Sequence, residues 1–233
     1  MPPASNTASL ARRLAGAVAF VAFFAALLFL PAATIEWPRA WVLLTVLLVI
    51  RVWGTIVVFR AQPELLVERS RLVREGQPPA DRVLLTAFMA TYAALVVFNG
   101  LDARRLKLLG APPPPLPAVG LLLFAGGSIV VTLVLRENAF ASAVVRYQEE
   151  RGHSVVTTGP YRIVRHPMYA GLAASMLGMG LWLGSWAAAA ASFVPTGILA
   201  ARILLEERLL LRSLHGYADY AARVRSRLVP GVW

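Results

Sequence analysis

The sequence predicts an all-α integral membrane protein with about six transmembrane helices, the last two forming a C-terminal helical hairpin. Three observations carry this. Hydrophobic residues make up 58% of the 233 and mean hydropathy is +0.65, against about 45–50% apolar residues in soluble domains. The apolar residues are gathered into runs near the ~20 residues that cross a bilayer. The 23 Lys and Arg, finally, are unevenly shared between the connections.

Six spans read in order as Leu14–Leu30, Ala40–Phe59, Val83–Phe98, Leu116–Leu135, Met168–Leu183 and Trp186–Leu205. Arg12-Arg13 followed by Leu14–Leu30 resembles the first two regions of a signal peptide, but Pro31 to Trp37 offers no cleavage pattern. Eighteen of the 23 basic residues fall before the first span, between Arg60 and Arg82, between Arg136 and Arg165, or from Arg202 onward. By the positive-inside rule those segments and both termini are cytoplasmic. The net charge of +11 then follows from topology and attraction to anionic headgroups, and no nucleic acid is expected as a partner. The absence of cysteine excludes disulfides and thiolate chemistry. Arg51 lies nine residues from Arg60, roughly 13 Å along a helix axis, and is expected to face the bundle interior with a partner.

The chain divides at the four prolines Pro112–Pro115. Residues 1–111 read as accessory transmembrane helices and residues 116–233 as the core. Between Ala170 and Leu205 lie thirty-six residues with one charge near the end, Arg202, which suit two spans turning at Gly184-Ser185. Ala170, Gly171, Ala173, Ala174, Ser175, Gly178 and Gly180 on the first arm predict close approach to the second. That hairpin returns Tyr169 and Glu206-Glu207 to the same membrane face.

The connection Val144–Tyr169 is polar in a greasy chain, with two of the three histidines, four arginines and three tyrosines. Pro160 and Pro167 stiffen it, and Pro167 suits the first turn of the fifth span, placing His166 at a helix start flanked by Arg165 and Tyr169. Arg202 and Glu206, four apart, share a helix face. Taken alone they make a surface ion pair worth some tenths of a kcal/mol; beside the histidine loop, two carboxylates make a site for a small zwitterion. His153, His166 and His215 lack metal-ligand spacing, and no metal is expected.

Gly159-Pro160-Tyr161, then Arg165-His166-Pro167-Met168-Tyr169-Ala170-Gly171, then Glu206-Glu207, Gly216-Tyr217, Tyr220, Val224 and Pro230 resemble the isoprenylcysteine carboxyl methyltransferases and the related phospholipid N-methyltransferases. His153 and Val155-Val156-Thr157 extend the resemblance upstream, so that it covers roughly residues 146–233. It implies an integral-membrane methyltransferase core, with a cytosolic loop and tail that bind S-adenosylmethionine. A lipophilic or small acceptor (carboxylate, amine or thiol) would reach the site from the bilayer. On that resemblance His153, Val155, Val156, Gly159, Tyr161, Arg165, His166 and Tyr169 line the cofactor pocket, with Glu207 or Glu206 at its amino-acid end. Arg202 and Glu206 would carry the catalytic roles nearest the acceptor. Leu214-His215-Gly216 departs from the family, which has phenylalanine before the glycine. The Ala-, Arg- and Leu-heavy composition suggests a bacterial inner membrane, with membrane lipids as surroundings and no protein partner.

Two other readings share the loop. A sterol-reductase-like enzyme would place the 2′-phosphate of NADPH among Arg162, Arg165 and Arg223-Arg225-Arg227, and a non-catalytic accessory protein would keep only the fold.

Overall fold

The computed structural model describes residues 4–69 and 76–233, with side chains from residue 9 onward. Arg71 and Arg74, two of the basic residues of the second connection, lie outside the described residues. Every regular element described is helical: α1 (Ala4–Ala32), α2 (Pro38–Ala61), α3 (Pro63–Arg69), α4 (Pro79–Leu101), α5 (Leu116–Glu137), α6 (Pro167–Leu183), α7 (Trp186–Ala191), α8 (Phe193–Ser213) and α9 (Tyr217–Arg223). Five stretches are long and apolar enough to cross a membrane, namely Ser9–Ala32, Pro38–Ala61, Pro79–Leu106, Leu116–Glu137 and Trp186–Ser213. The apolar helix Pro167–Leu183, at 17 residues, is shorter than these five. This is an all-α integral membrane architecture.

Proline sets where these helices begin. Pro38, Pro63, Pro79 and Pro167 each open a helix, where a missing N–H costs nothing and φ is already helical. Proline also breaks one. Pro195 cannot donate to the carbonyl of Ala191, and the helix interrupts at Ser192, splitting the sixth span into α7 and α8. Gly184, at φ +91°, closes α6 in the left-handed region. The sequence reading missed α3 and α9, which are seven residues each and too short to show a period.

The small residues of α6 do not serve the partner expected of them. Gly171, Ser175 and Gly178 face α5 rather than α8, and Gly171 and Gly178 meet Gly127 and Gly120 in an antiparallel pair of seven-residue steps. A Cβ at Gly171 would lie 2.6 Å from the Gly127 carbonyl oxygen, and one at Gly120 would lie 2.6 Å from the Trp182 nitrogen. Ser175 fills the space between, donating to Gly171 O at 2.9 Å and sharing a 3.3 Å bond with Ser128. Gly180 turns to the other arm, where the backbone of Ala188 and Ala189 abuts it. In lipid no hydrophobic effect draws helices together, so backbone contact of this kind supplies the packing.

Arg51 also departs from expectation. It is exposed rather than interior, and its guanidinium lies 4.1 Å over the ring of Phe20 on α1. At the opposite end of the bundle Asp102 is fully buried, accepting from Ser185 Oγ at 2.5 Å and from the Leu108 N–H at 2.9 Å. That joint ties the end of α4 to the hairpin turn.

The Gly171→Ala variant should lose about 1–3 kcal/mol by overpacking, read by denaturant unfolding in detergent. Gly126→Ala, which meets nothing within 4 Å, should be neutral or gain up to about 1 kcal/mol of helix propensity.

Candidate active site

Three segments distant in sequence converge where α6 begins and α8 ends. His166 is the residue immediately before α6, a position that Pro167 fixes. The chain after α9 returns to it: the N–H groups of Arg165 and His166 donate to the carbonyls of Ser226 and Arg227, both at 2.9 Å. The Arg165 guanidinium then caps α9, giving Nη1 to the carbonyls of Val224 at 2.9 Å and Arg225 at 2.8 Å and satisfying groups a helix end leaves free.

Glu207 joins the three segments. Its Oε1 accepts from Arg165 Nε at 2.6 Å and lies 3.2 Å from His166 Nε2, while Oε2 accepts from Arg227 Nε at 2.8 Å. Loop, helix and tail thus meet on one buried carboxylate.

Glu206 is placed differently. Its Oε2 accepts from the Tyr169 hydroxyl at 2.8 Å and lies 4.0 Å from His166 Nδ1. The rings of His166 and Tyr169 are parallel, with centroids 5.7 Å apart. Of the residues the sequence named, His153, Val155, Val156, Tyr161, Arg165, His166, Tyr169, Arg202 and Glu206 line a single cavity. Gly159 and Glu207 do not line it. Gly159 instead starts a short 3-10 turn at φ +56°, against the side chain of Glu137, which accepts from the Thr158 hydroxyl. Glu207 is turned to Arg165, His166 and Arg227.

Aromatic rings make up much of the wall. His153 lies between Phe140 and Tyr147, with centroids 4.6 and 5.8 Å away. Burial, with Arg151 and Arg146 nearby, pushes its pKa down to about 4, so at neutral pH it is an uncharged acceptor or donor. Tyr161 accepts from Asn138 Nδ2 at 2.7 Å, and burial drives its phenol well above the usual range. Tyr220, pushed up to about 12 chiefly by burial, donates to the Tyr161 carbonyl at 2.8 Å. Tyr217 also lines the cavity, and its buried hydroxyl has no partner among the described residues. Burial raises that phenol too, which leaves it a free donor.

Arg202 does not pair with Glu206, its neighbour on the helix face. It donates through Nε to Asp81 Oδ1 at 2.7 Å and through Nη2 to the Ala143 carbonyl at 2.5 Å. Asp81, fully buried in the first turn of α4, also accepts from Gln77 Nε2 at 2.8 Å and the Val145 N–H at 3.0 Å. Sequence reasoning missed Asp81, Asn138 and Phe140. Asp81 did leave one signal, a lone acid at the start of an apolar run. Arg146, a further lining residue, bridges Glu68 at 3.2 Å and Glu150 at 2.6 Å. No cluster of three or more metal-ligating side chains occurs among the described residues.

A buried Glu207→Gln change strands Arg165 and Arg227 and should cost about 3–5 kcal/mol, whereas Glu206→Gln should cost under about 1.5 kcal/mol; unfolding in detergent compares them. His153 supplies a pH dependence. Its folded pKa lies below its unfolded one, so its contribution is complete above the unfolded value near 6.5 and is lost as pH falls from there toward about 4. Thermal stability of the wild type should fall over that window, and His153→Gln should flatten the fall.

Comparison with known proteins adds an independent observation. The family model described as phospholipid methyltransferase matches residues 116–217, which include the loop, α5, α6, α8, both glutamates and the start of α9. Comparison with curated proteins gives no match. Residues 116–217 of this membrane protein are thus similar to the phospholipid methyltransferase family, in keeping with the resemblance read from its motifs.

Proposed function

We propose that this protein transfers a methyl group from S-adenosylmethionine to an acceptor that reaches the cavity from the bilayer. The observation that carries the reading is Glu206. It is a carboxylate facing a cavity walled by tyrosines, with Oε2 held by Tyr169. A site for a sulfonium and an ammonium wants carboxylate and ring faces, and the unpartnered Tyr217 hydroxyl offers a further donor. The residues present therefore fit the donor. His153, Val155, Val156, Tyr161, His166 and Tyr169 would hold it, with Glu206 at its ammonium, while Glu207 keeps Arg165, His166 and Arg227 in place behind them. Gly159 would act through the turn it allows.

When bound, the donor supplies an electrophilic methyl on sulfur. The acceptor's lone pair would take that methyl, with the thioether as leaving group. The protein's part is alignment and exclusion of water. A carboxylate acceptor needs no base; an amine or thiol must first lose a proton, and Glu206 is the nearest carboxylate to receive it. Arg202, clamped by Asp81, would steer the acceptor's polar end. The charge asymmetry supports a cytoplasmic location for the loop, the tail and both termini, in a bacterial inner membrane. Residues 1–111 would be accessory to a core of 116–233, apart from the carboxylate that α4 lends. Arg165 and Arg227 are both already paired with Glu207, which weighs against a 2′-phosphate site and the reductase reading.

S-adenosylhomocysteine at a hundredfold excess over its Kd should stabilise the detergent-solubilised protein by about 2.7 kcal/mol, and NADPH should not. Glu206→Ala should abolish that response while leaving the protein folded. A response to NADPH alone, or to neither ligand, would sink the proposal.

A further inference from the structure

Tyr161, Tyr169, Tyr217 and Tyr220 line the cavity, and three of their hydroxyls are engaged. Tyr161 accepts from Asn138 at 2.7 Å, Tyr169 donates to Glu206 at 2.8 Å, and Tyr220 donates to the Tyr161 carbonyl at 2.8 Å. Tyr217 is 4% exposed, and its hydroxyl has no partner among the described residues. The other buried lining atom without one, Arg146 Nε, belongs to a guanidinium already held by Glu68 and Glu150. A buried hydroxyl with no hydrogen bond is destabilising, because it has given up water and gained nothing in return. Phenylalanine would fill the same space without that cost. A tyrosine there calls for a partner that comes with a ligand.

The surroundings of Tyr217 differ from those of Glu206. Tyr217 opens α9, and with Leu214 and Tyr220 it forms a buried cluster against which Tyr147, Val155 and Tyr161 pack. Tyr147 stacks on His153 at 5.8 Å, and Phe140 lies 4.6 Å from the same ring, which is uncharged at neutral pH. Glu206 stands eight residues before Leu214, roughly 12 Å back along the axis of α8, beside Tyr169 and His166. The cavity therefore has two ends. One, at the start of α6, carries a carboxylate; the other, closed by α9, is apolar and aromatic, with a free phenol in its wall. Ring faces and a hydrogen-bond donor suit a flat heteroaromatic base, whose π-surface lies against the rings while an acceptor atom meets the donor.

We infer that Tyr217 is a binding residue for the nucleoside part of the methyl donor, its hydroxyl donating to an acceptor atom of the purine or ribose while Phe140 and His153 face the base. The inference rests on the methyltransferase reading for the identity of the donor, and it divides that donor between the two ends of the cavity. Glu206 takes the ammonium, and Tyr217 takes the nucleoside. The hydroxyl then weakens the empty protein and strengthens the filled one, as groups kept for binding often do.

Two ligands test this: S-adenosylhomocysteine, and 5′-methylthioadenosine, which keeps the nucleoside and thioether but has no amino-acid end. Their affinities for the detergent-solubilised protein are measured by calorimetry, alongside melting of the ligand-free protein. Tyr217→Phe should weaken both ligands equally, by roughly five- to tenfold, while the ligand-free variant melts no lower than wild type. Glu206→Ala should weaken S-adenosylhomocysteine alone. A Tyr217→Phe variant that melts well below wild type would give the hydroxyl a structural role and overturn the inference. Unchanged affinity for both ligands would overturn it as well. A loss confined to S-adenosylhomocysteine would move the hydroxyl to the amino-acid end and count equally against it. Wild type that binds methylthioadenosine but not S-adenosylhomocysteine would overturn the proposed donor, while Tyr217→Phe against methylthioadenosine still decides this site. Binding of neither ligand would overturn both.

Discussion

The arrangement of the cavity depends on one buried carboxylate held by two arginines and a histidine. Removing two charges from water is costly, and Coulombic attraction offsets that cost only when geometry is good and every remaining donor and acceptor is used. Glu207 meets both conditions: each oxygen is occupied, and Arg165 spends its other donors on the end of α9. Because its partners come from the loop, the start of α6 and the tail, the interaction fixes the relation of segments that no regular element joins. Glu206, one residue earlier, is consequently aimed at the cavity with an oxygen to spare. Two adjacent identical residues thus do different work, one holding the walls and the other facing their contents.

The helices were legible because lipid imposes a simple rule, long apolar runs with basic flanks, and proline marked most of their beginnings. The convergence of His166 with the glutamates was legible too, since a hairpin of known span lengths returns its ends to the same face. What the sequence hid is side-chain partnership between helices. The glycines of α6 have equal claims on α5 and α8 when read along one chain, and only the matching seven-residue step Gly120–Gly127 decides for α5. Arg202 and Glu206 look like a pair at four-residue spacing, yet a fully buried acid 121 residues away is the better partner. Glu207 was read as facing a ligand; nothing in the sequence says that its neighbours in space would leave it no free oxygen.

Asp81 changes how the two halves of the chain are understood. The first hundred residues carry no motif that matches a family, and the family match begins at Leu116. Even so, the clamp on Arg202 and on the Val145 N–H comes from Asp81 on α4. A helix in the unmatched half therefore sets the position of a cation that lines the cavity, which is a physical reason for such a half to be retained beside a core that carries the chemistry.

The paired glycines of α5 and α6 have a mechanical consequence. With carbonyl oxygens seated against bare Cα atoms there is no layer of side chains to shear, so one helix cannot glide along the other by a fraction of its register. The pair behaves as a rigid mast. Any breathing that lets molecules in and out must be borne by what is hung from it, the strap of residues after α9 that rests on the loop through two backbone bonds, the Arg165 guanidinium and one carboxylate.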